Sequence, residues 1–378
     1  MNKIEVMAMM ILFLIFGFLR EADAQRTRCR DLGITIGVME TGHYNAITDV
    51  SGVKVGHFTL IAGDSIRTGV TAILPHEGNI FREKLPAAIY VANGFGKLMG
   101  YTQVEELGEL ETPVILTNTL SVPIAAEALI DYTLQLKGNE QIQSVNPVVG
   151  ETNDGWLNDI RGRHIRKEHI QQAIEKATAG SVTEGAVGAG TGTVCFGFKG
   201  GIGTASRRLP KNRGGYTIGV LVQTNFGGTL QIAGIPIGEE IKGKKVHLEN
   251  PDGSCMIVVA TDAPLDSRNL KRLAKRAILG LGRTGGISSH GSGEYVIAFS
   301  TAKEVRISPQ IAEKLLSQQI LRNEEMSLLF QAVIEATEEA ILNSLFTASS
   351  MQGYGGHRVE SIPIPQVKEI LQKHNIIK

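Results

Sequence analysis

Glu249-Asn-Pro-Asp-Gly253-Ser254-Cys255-Met-Ile-Val-Val-Ala-Thr-Asp262 joins a polar, turn-prone stretch to an apolar run of the kind buried in a sheet. Pro251, Asp252 and Gly253 turn the chain, and residues 257–261 read as a buried strand. Ser254 stands at the junction. A serine there can attack the carbonyl of the residue before it, and a turn that presents the Gly253–Ser254 bond favours the attack. Cleavage would free an α-amine on the residue that already carries the hydroxyl. With an ordinary pKa of about 7.7–8.0, that amine can act as general base toward its own Oγ. One residue then supplies both nucleophile and base. Turn chemistry alone also accounts for Gly-Ser before a strand, so this reading needs support from elsewhere in the chain.

Three other places offer matching chemistry. Ser292-Gly-Glu294 leads into a strand read at 295–300. Side chains two apart on a strand share a face, so a hydroxyl and a carboxylate stand side by side there. Such a pair can orient an amine or relay a proton; the bland alternative is a solvated strand start. Asn225 follows a strand read at 216–224. Its carboxamide can donate to an oxyanion, or simply make a turn. Glu151 lies in Gly150-Glu-Thr-Asn-Asp-Gly155, just before Trp156. It can hold a substrate ammonium or cap its loop.

The bulk properties exclude other classes. Of the 378 residues, 38 are Lys or Arg and 38 are Asp or Glu, so the formal net charge is zero. No basic stripe suggests nucleic acid as a partner. The 44 glycines follow no fixed period and read as turns and close backbone approaches. Lys3, the apolar run 6–19 and Ala22-Asp-Ala24 match a secretory signal peptide. Residues 1–24 are therefore expected to be removed and the mature chain exported, periplasmic or extracellular. An uncleaved anchor is the rival, although the run is shorter than the roughly 20 residues a membrane span needs. No later stretch is long enough to span a bilayer, so no membrane contact is expected after signal removal. Cys29, Cys195 and Cys255 lie far apart and read as free, buried or half-buried thiols; Cys29 pairing between chains is the alternative. The nine His residues show no H-x-x-x-H pair, so no metal site is expected. Gly188-Ala-Gly-Thr-Gly192 and Gly200-Gly-Ile-Gly203 lack the context of a nucleotide-binding loop and read as turn glycines.

Periodicity supplies the frame. Strands are expected at 53–60, 87–92 and 216–224, with a β-like glycine-rich segment over 185–203. Helices are expected at 122–136, at 165–179, and from the Asp266 cap to Leu279 with Gly280 and Gly282 as stops. The clearest helix is 323–346, where Met326, Phe330, Val333, Thr337, Ile341 and Leu345 make one stripe. A last short helix follows Pro365. Strands mixed with helices in this way suggest one layered α/β domain, though not its strand order.

Taken in order, these segments resemble the DmpA/BapA-type N-terminal-nucleophile aminopeptidases, also called L-aminopeptidase/D-esterases and β-peptidyl aminopeptidases. The resemblance runs through Tyr44-Asn-Ala-Ile-Thr-Asp49-Val-Ser-Gly52-Val-Lys-Val-Gly56-His57, Ala92-Asn-Gly-Phe-Gly96-Lys, Thr112-Pro-Val-Ile-Leu-Thr-Asn-Thr119 and Pro147-Val-Val-Gly-Glu151-Thr-Asn-Asp-Gly155. It continues through Gly188–Gly192, Gly253-Ser254 with 257–265, and Ser292-Gly-Glu294. It implies an αββα sandwich of the self-processing type, cut at 253/254 into an α-chain, 25–253, and a β-chain, 254–378. It implies Ser254 as nucleophile, Asn225 in the oxyanion hole, and Ser292 and Glu294 as orienters of the new amine. Glu151 would hold the substrate's amino group. Trp156 stands where the family often has a Tyr whose hydroxyl helps the oxyanion; an indole N–H also donates, but with a different reach. The resemblance further implies no metal or organic cofactor and a homotetramer of αβ units. The expected substrate is a small peptide, amino acid amide or ester, with L-α-, D- and β-amino acyl groups all open. A related self-cleaving acyltransferase and an exported non-catalytic binding protein are the alternatives.

Overall fold

The computed structural model describes residues 26–241, 253–307 and 314–378. The signal-peptide reading and the turn before Gly253 lie outside these residues. Among the described residues, fifteen short and long strands follow in chain order. They are β1 (Lys54–Ala62), β2 (Ile66–Leu74), β3 (Leu85–Gly94), β4 (Leu98–Met99), β5 (Glu109–Leu110), β6 (Val114–Asn118), β7 (Val148–Thr152), β8 (Val194–Cys195) and β9 (Phe198–Lys199). Then come β10 (Ile202–Arg208), β11 (Thr217–Asn225), β12 (Ser254–Thr261), β13 (Gly293–Ser300), β14 (Met351–Gln352) and β15 (Arg358–Val359).

Two sheets carry the molecule. One is ordered β1-β2-β6-β7-β4, the other β10-β11-β12-β13-β3-β5. Within the second, β12 and β13 run parallel, while β11 pairs with β12 antiparallel. The sheets face each other across a core that includes Val55, Ile73, Leu116, Leu221, Met256, Val258 and Phe299. Helices Ser267–Arg283 and Met326–Phe346 cover the outer face of the six-stranded sheet, closing over Val220, Ile257, Val259 and Val296. Helices Val122–Gln135 and Lys167–Glu175 cover the five-stranded sheet over Val70, Ala72 and Val149. The result is the αββα sandwich implied by the resemblance. Strand β12 is buried on both faces, which is why its residues read as one apolar run rather than an alternation.

Two expectations change. The helix after Asp266 runs through Gly280 and Gly282 to Arg283. Gly280 is a contact point: a Cβ there would lie 2.5 Å from the Ile334 carbonyl oxygen of the neighbouring helix. The second helix is shorter than read, Lys167–Glu175. The apolar stripe on the long helix exists, but its opposite side is also buried, because Arg207 bonds Glu335 and Glu339 at 3.1 and 2.7 Å. Arg30 also bonds Glu339, at 2.7 Å. All three cysteines are buried and without a disulfide, in keeping with the reading of buried free thiols.

Candidate active site

Three strand ends of the six-stranded sheet bring the candidate residues together. Strand β12 opens at Ser254 itself, three residues earlier than its apolar run suggested. Asn225, the last residue of β11, lies directly opposite Ser254. Gly293, the first residue of β13, pairs with Ser254 from the other side. Ser254 is therefore held between two ladders.

The bond before it is held as well. The Gly293 N–H donates to the Gly253 carbonyl oxygen at 3.1 Å, and Ser254 Oγ donates to the same oxygen at 2.7 Å. A Cβ on residue 253 would sit 2.1 Å from the Asn225 carbonyl oxygen, so only glycine fits. The glycine thus has a cause in packing, apart from any turn.

Asn225 has one fixed end. Its Oδ1 accepts from the Val194 N–H of β8 at 2.9 Å, which sets the amide orientation and leaves the N–H donors for other partners. Ser292 donates its hydroxyl to Glu294 Oε1, as the shared face predicts. The other oxygen, Oε2, is buried with no hydrogen-bond partner. Burial pushes the Glu294 carboxyl above its usual range, with side-chain hydrogen bonds from Ser292 and Ser288 pulling the other way.

Glu151 sits near the end of β7, 2% exposed. Its Oε1 accepts from the Lys97 N–H at 2.9 Å, and its Oε2 from the Thr119 hydroxyl. Burial raises its carboxyl as well, the Thr119 and Lys97 bonds opposing. Gly96 lies beside it. A Cβ on Gly96 would stand 2.9 Å from Glu151 Oε1 and 3.1 Å from the Tyr295 hydroxyl. Burial, with Glu151 and Glu294 as neighbouring charges, pushes the Tyr295 phenol up to about 12, so it stays a neutral donor. Tyr295 thus senses both carboxylates.

Trp156 follows Glu151 by five residues. It is half exposed and its ring stacks on His357, with centroids 3.8 Å apart and planes at 4°. His357 Nδ1 also lies 2.9 Å from the Trp156 carbonyl oxygen.

Residues 45–359 match Peptidase family S58. The chain belongs to this family. Beta-peptidyl aminopeptidase BapA of Sphingosinicella microcystinivorans is 41% identical over 377 residues, covering 93% of this chain and 94% of that protein. A solved structure from Pyrococcus horikoshii OT3 shares 48% identity, with a TM-score of 0.86 over 92% of this chain and 99% of its own. The L-aminopeptidase D-Ala-esterase/amidase of Ochrobactrum anthropi, described as a prototype serine aminopeptidase and an Ntn-hydrolase fold variant, is 35% identical. It aligns with a TM-score of 0.85 over 93% of this chain and 99% of that one. This S58 peptidase is accordingly a serine hydrolase of the Ntn fold, an aminopeptidase releasing N-terminal residues.

The sequence reading missed Gly96, Thr119, Val194 and Tyr295 as parts of the site. Gly96 and Thr119 lie inside segments that carry the family resemblance, but nothing in their spacing connects them to Glu151. Tyr295 reads as one more apolar residue of a strand.

Proposed function

We propose that this S58 peptidase cuts its own chain at Gly253–Ser254 and then uses Ser254 Oγ, with its own α-amine as base, to hydrolyse amides. The observation that carries the proposal is the double hold on the Gly253 carbonyl by Gly293 N–H and Ser254 Oγ, in a position only glycine can occupy. Oγ attacks the Gly253 carbonyl carbon, its proton passes to the departing nitrogen as the C–N bond breaks, and water hydrolyses the resulting Gly253–Ser254 ester, leaving the Gly253 carboxylate, the free hydroxyl and the free amine. Glu294 Oε2, buried and unpartnered in the uncut chain, is an acceptor for the ammonium form of that amine. Asn225 donates to the oxyanion in both self-cleavage and turnover. Glu151 anchors the substrate's amino group, which makes the enzyme an aminopeptidase rather than an endopeptidase. Water then hydrolyses the acyl-Ser254 ester.

The substrate class follows from that anchor: a small peptide, amide or ester with a free amino group near the scissile carbonyl. The β-peptidyl activity named for the Sphingosinicella relative makes β-amino acyl groups a first choice, with L-α- and D-amino acyl groups to be compared beside them. Export rests on the Lys3, 6–19 and Ala22-Asp-Ala24 pattern. The assembly carried over from the resemblance is a tetramer of αβ units, tested by light scattering of the processed protein. The activity is tested with paired p-nitroanilides. Free-amine compounds should be cleaved and their N-acetylated partners should not. Equal turnover of both would remove Glu151 from the proposed role.

A further inference from the structure

Lys199 is fully buried at 0% exposure, yet it belongs to no assigned part of the site. Its ammonium donates to three backbone carbonyls, Gly190 at 3.0 Å, Thr193 at 2.9 Å and Gly200 at 2.8 Å. A buried ammonium is costly unless every donor is used, and here all three are. The three carbonyls span the glycine-rich loop that runs through β8 and β9. Thr193 is the residue immediately before Val194, whose N–H holds Asn225 Oδ1 at 2.9 Å. The loop is tied to β11 a second time, by Thr224 N–H to the Gly201 carbonyl at 3.0 Å and Gly201 N–H to Thr224 Oγ1 at 3.2 Å.

We infer that Lys199 is a positioning residue for the oxyanion donor: its ammonium gathers the Gly190–Gly201 loop so that the Val194 N–H aims the Asn225 carboxamide. The inference rests on the reading of Asn225 as oxyanion donor. It assigns the ammonium no contact with substrate. A surface lysine could not do this, because water would compete for each carbonyl. Burial pushes the Lys199 amine down to about 7, and the charge of buried Asp154 works against that fall. Asp154 is itself pushed up to about 7 by burial, and it accepts from Asn158 Nδ2 at 2.9 Å. Asp154 lies three residues after Glu151 in the chain, so the loop that aims Asn225 is charge-linked to the segment that carries the amine anchor.

The test is a double-mutant cycle on the full-length, self-processing protein, using Lys199→Met, Asn225→Ala and both together. The readouts are kcat and KM on one free-amine p-nitroanilide, with thermal unfolding as a fold check. Lys199→Met should lower kcat by roughly 10- to 100-fold with KM changed less than about threefold, as a misaimed donor would. Lys199→Arg should restore part of the loss. In the Asn225→Ala background, Lys199→Met should add little, because there is no carboxamide left to aim. Equal losses in both backgrounds, or a change confined to KM, would overturn the inference while leaving Asn225 in its role. An Asn225→Ala single variant with unchanged kcat would instead overturn the reading of Asn225. Should Lys199→Met fail to fold, Val194→Pro removes the N–H that holds Oδ1 with no change of charge. It must then lower kcat and be non-additive with Asn225→Ala, and additivity there overturns the inference.

Discussion

Asn225 and Ser254 face each other across the antiparallel pair β11–β12, each at the end of its strand. A donor and a nucleophile so placed are fixed by sheet register, which a loop could not match. Slipping either strand by one residue would turn its side chain to the other face. Asn225→Ala should therefore keep the fold and lose roughly 10²- to 10³-fold in kcat, the usual cost of one oxyanion donor. Self-cleavage should slow in parallel, because the same donor serves both steps. Steady-state kinetics and a timed denaturing gel check the two effects.

Gly96 leaves open the space between Glu151 Oε1 and the Tyr295 hydroxyl. Gly96→Ala places a methyl group within 2.9 Å of Glu151 Oε1, so the anchoring carboxylate must shift to admit it. KM for free-amine substrates should rise about tenfold or more, equivalent to about 1.4 kcal/mol of lost binding, with kcat falling less. An unchanged KM would show that the amine docks elsewhere.

Burial holds the Glu151 carboxyl above the ordinary value of 4.5. A raised carboxyl takes up its proton at a higher pH than a free glutamate does, and the neutral acid no longer pairs with an ammonium. KM should thus climb as pH falls, beginning above the usual glutamate range. Glu151→Gln should raise KM by about 10- to 100-fold at neutral pH, matching a charged hydrogen bond of about 1.5–3 kcal/mol. It should also flatten the acid-side rise. A pH series of KM for both proteins checks the sign.

How much of this was visible in the residues alone varies by element. Strand β12 declared itself because burial on both faces produces an unbroken apolar run. The Ser292–Glu294 pair followed from the two-residue period of a strand. Strands β2, β6 and β7 did not stand out, since Thr68, Thr71, Thr117 and Thr152 interrupt their apolar pattern while lying buried in the fold. The stop predicted at Gly280 failed because a glycine that admits a neighbouring helix looks, in one dimension, like a glycine that ends one. The Val194 and Lys199 contacts depend on a hairpin folding back onto β11, and no local spacing encodes that. Trp156 was placed by resemblance alone, and its described ring contact is with His357.

Arg207 precedes the proposed cut, while Glu335 and Glu339 follow it. This fully buried cluster would therefore join the two fragments once the bond between them is gone. Arg207→Met should strip buried Glu335 of its cation and leave Glu339 with Arg30 alone, at a cost of about 3–5 kcal/mol. Its urea midpoint should fall, and its fragments should separate at a denaturant concentration where the parent stays whole. Gel filtration across a urea series reads both.

The central claim is that the Gly253–Ser254 bond breaks by the action of Ser254. Intact mass measurement of the purified protein beside Ser254→Ala tests it most directly. The parent should yield two polypeptides, one of them beginning at Ser254, and the variant a single uncut chain without amidase activity. Two fragments from Ser254→Ala, or a single active chain from the parent, would contradict the account.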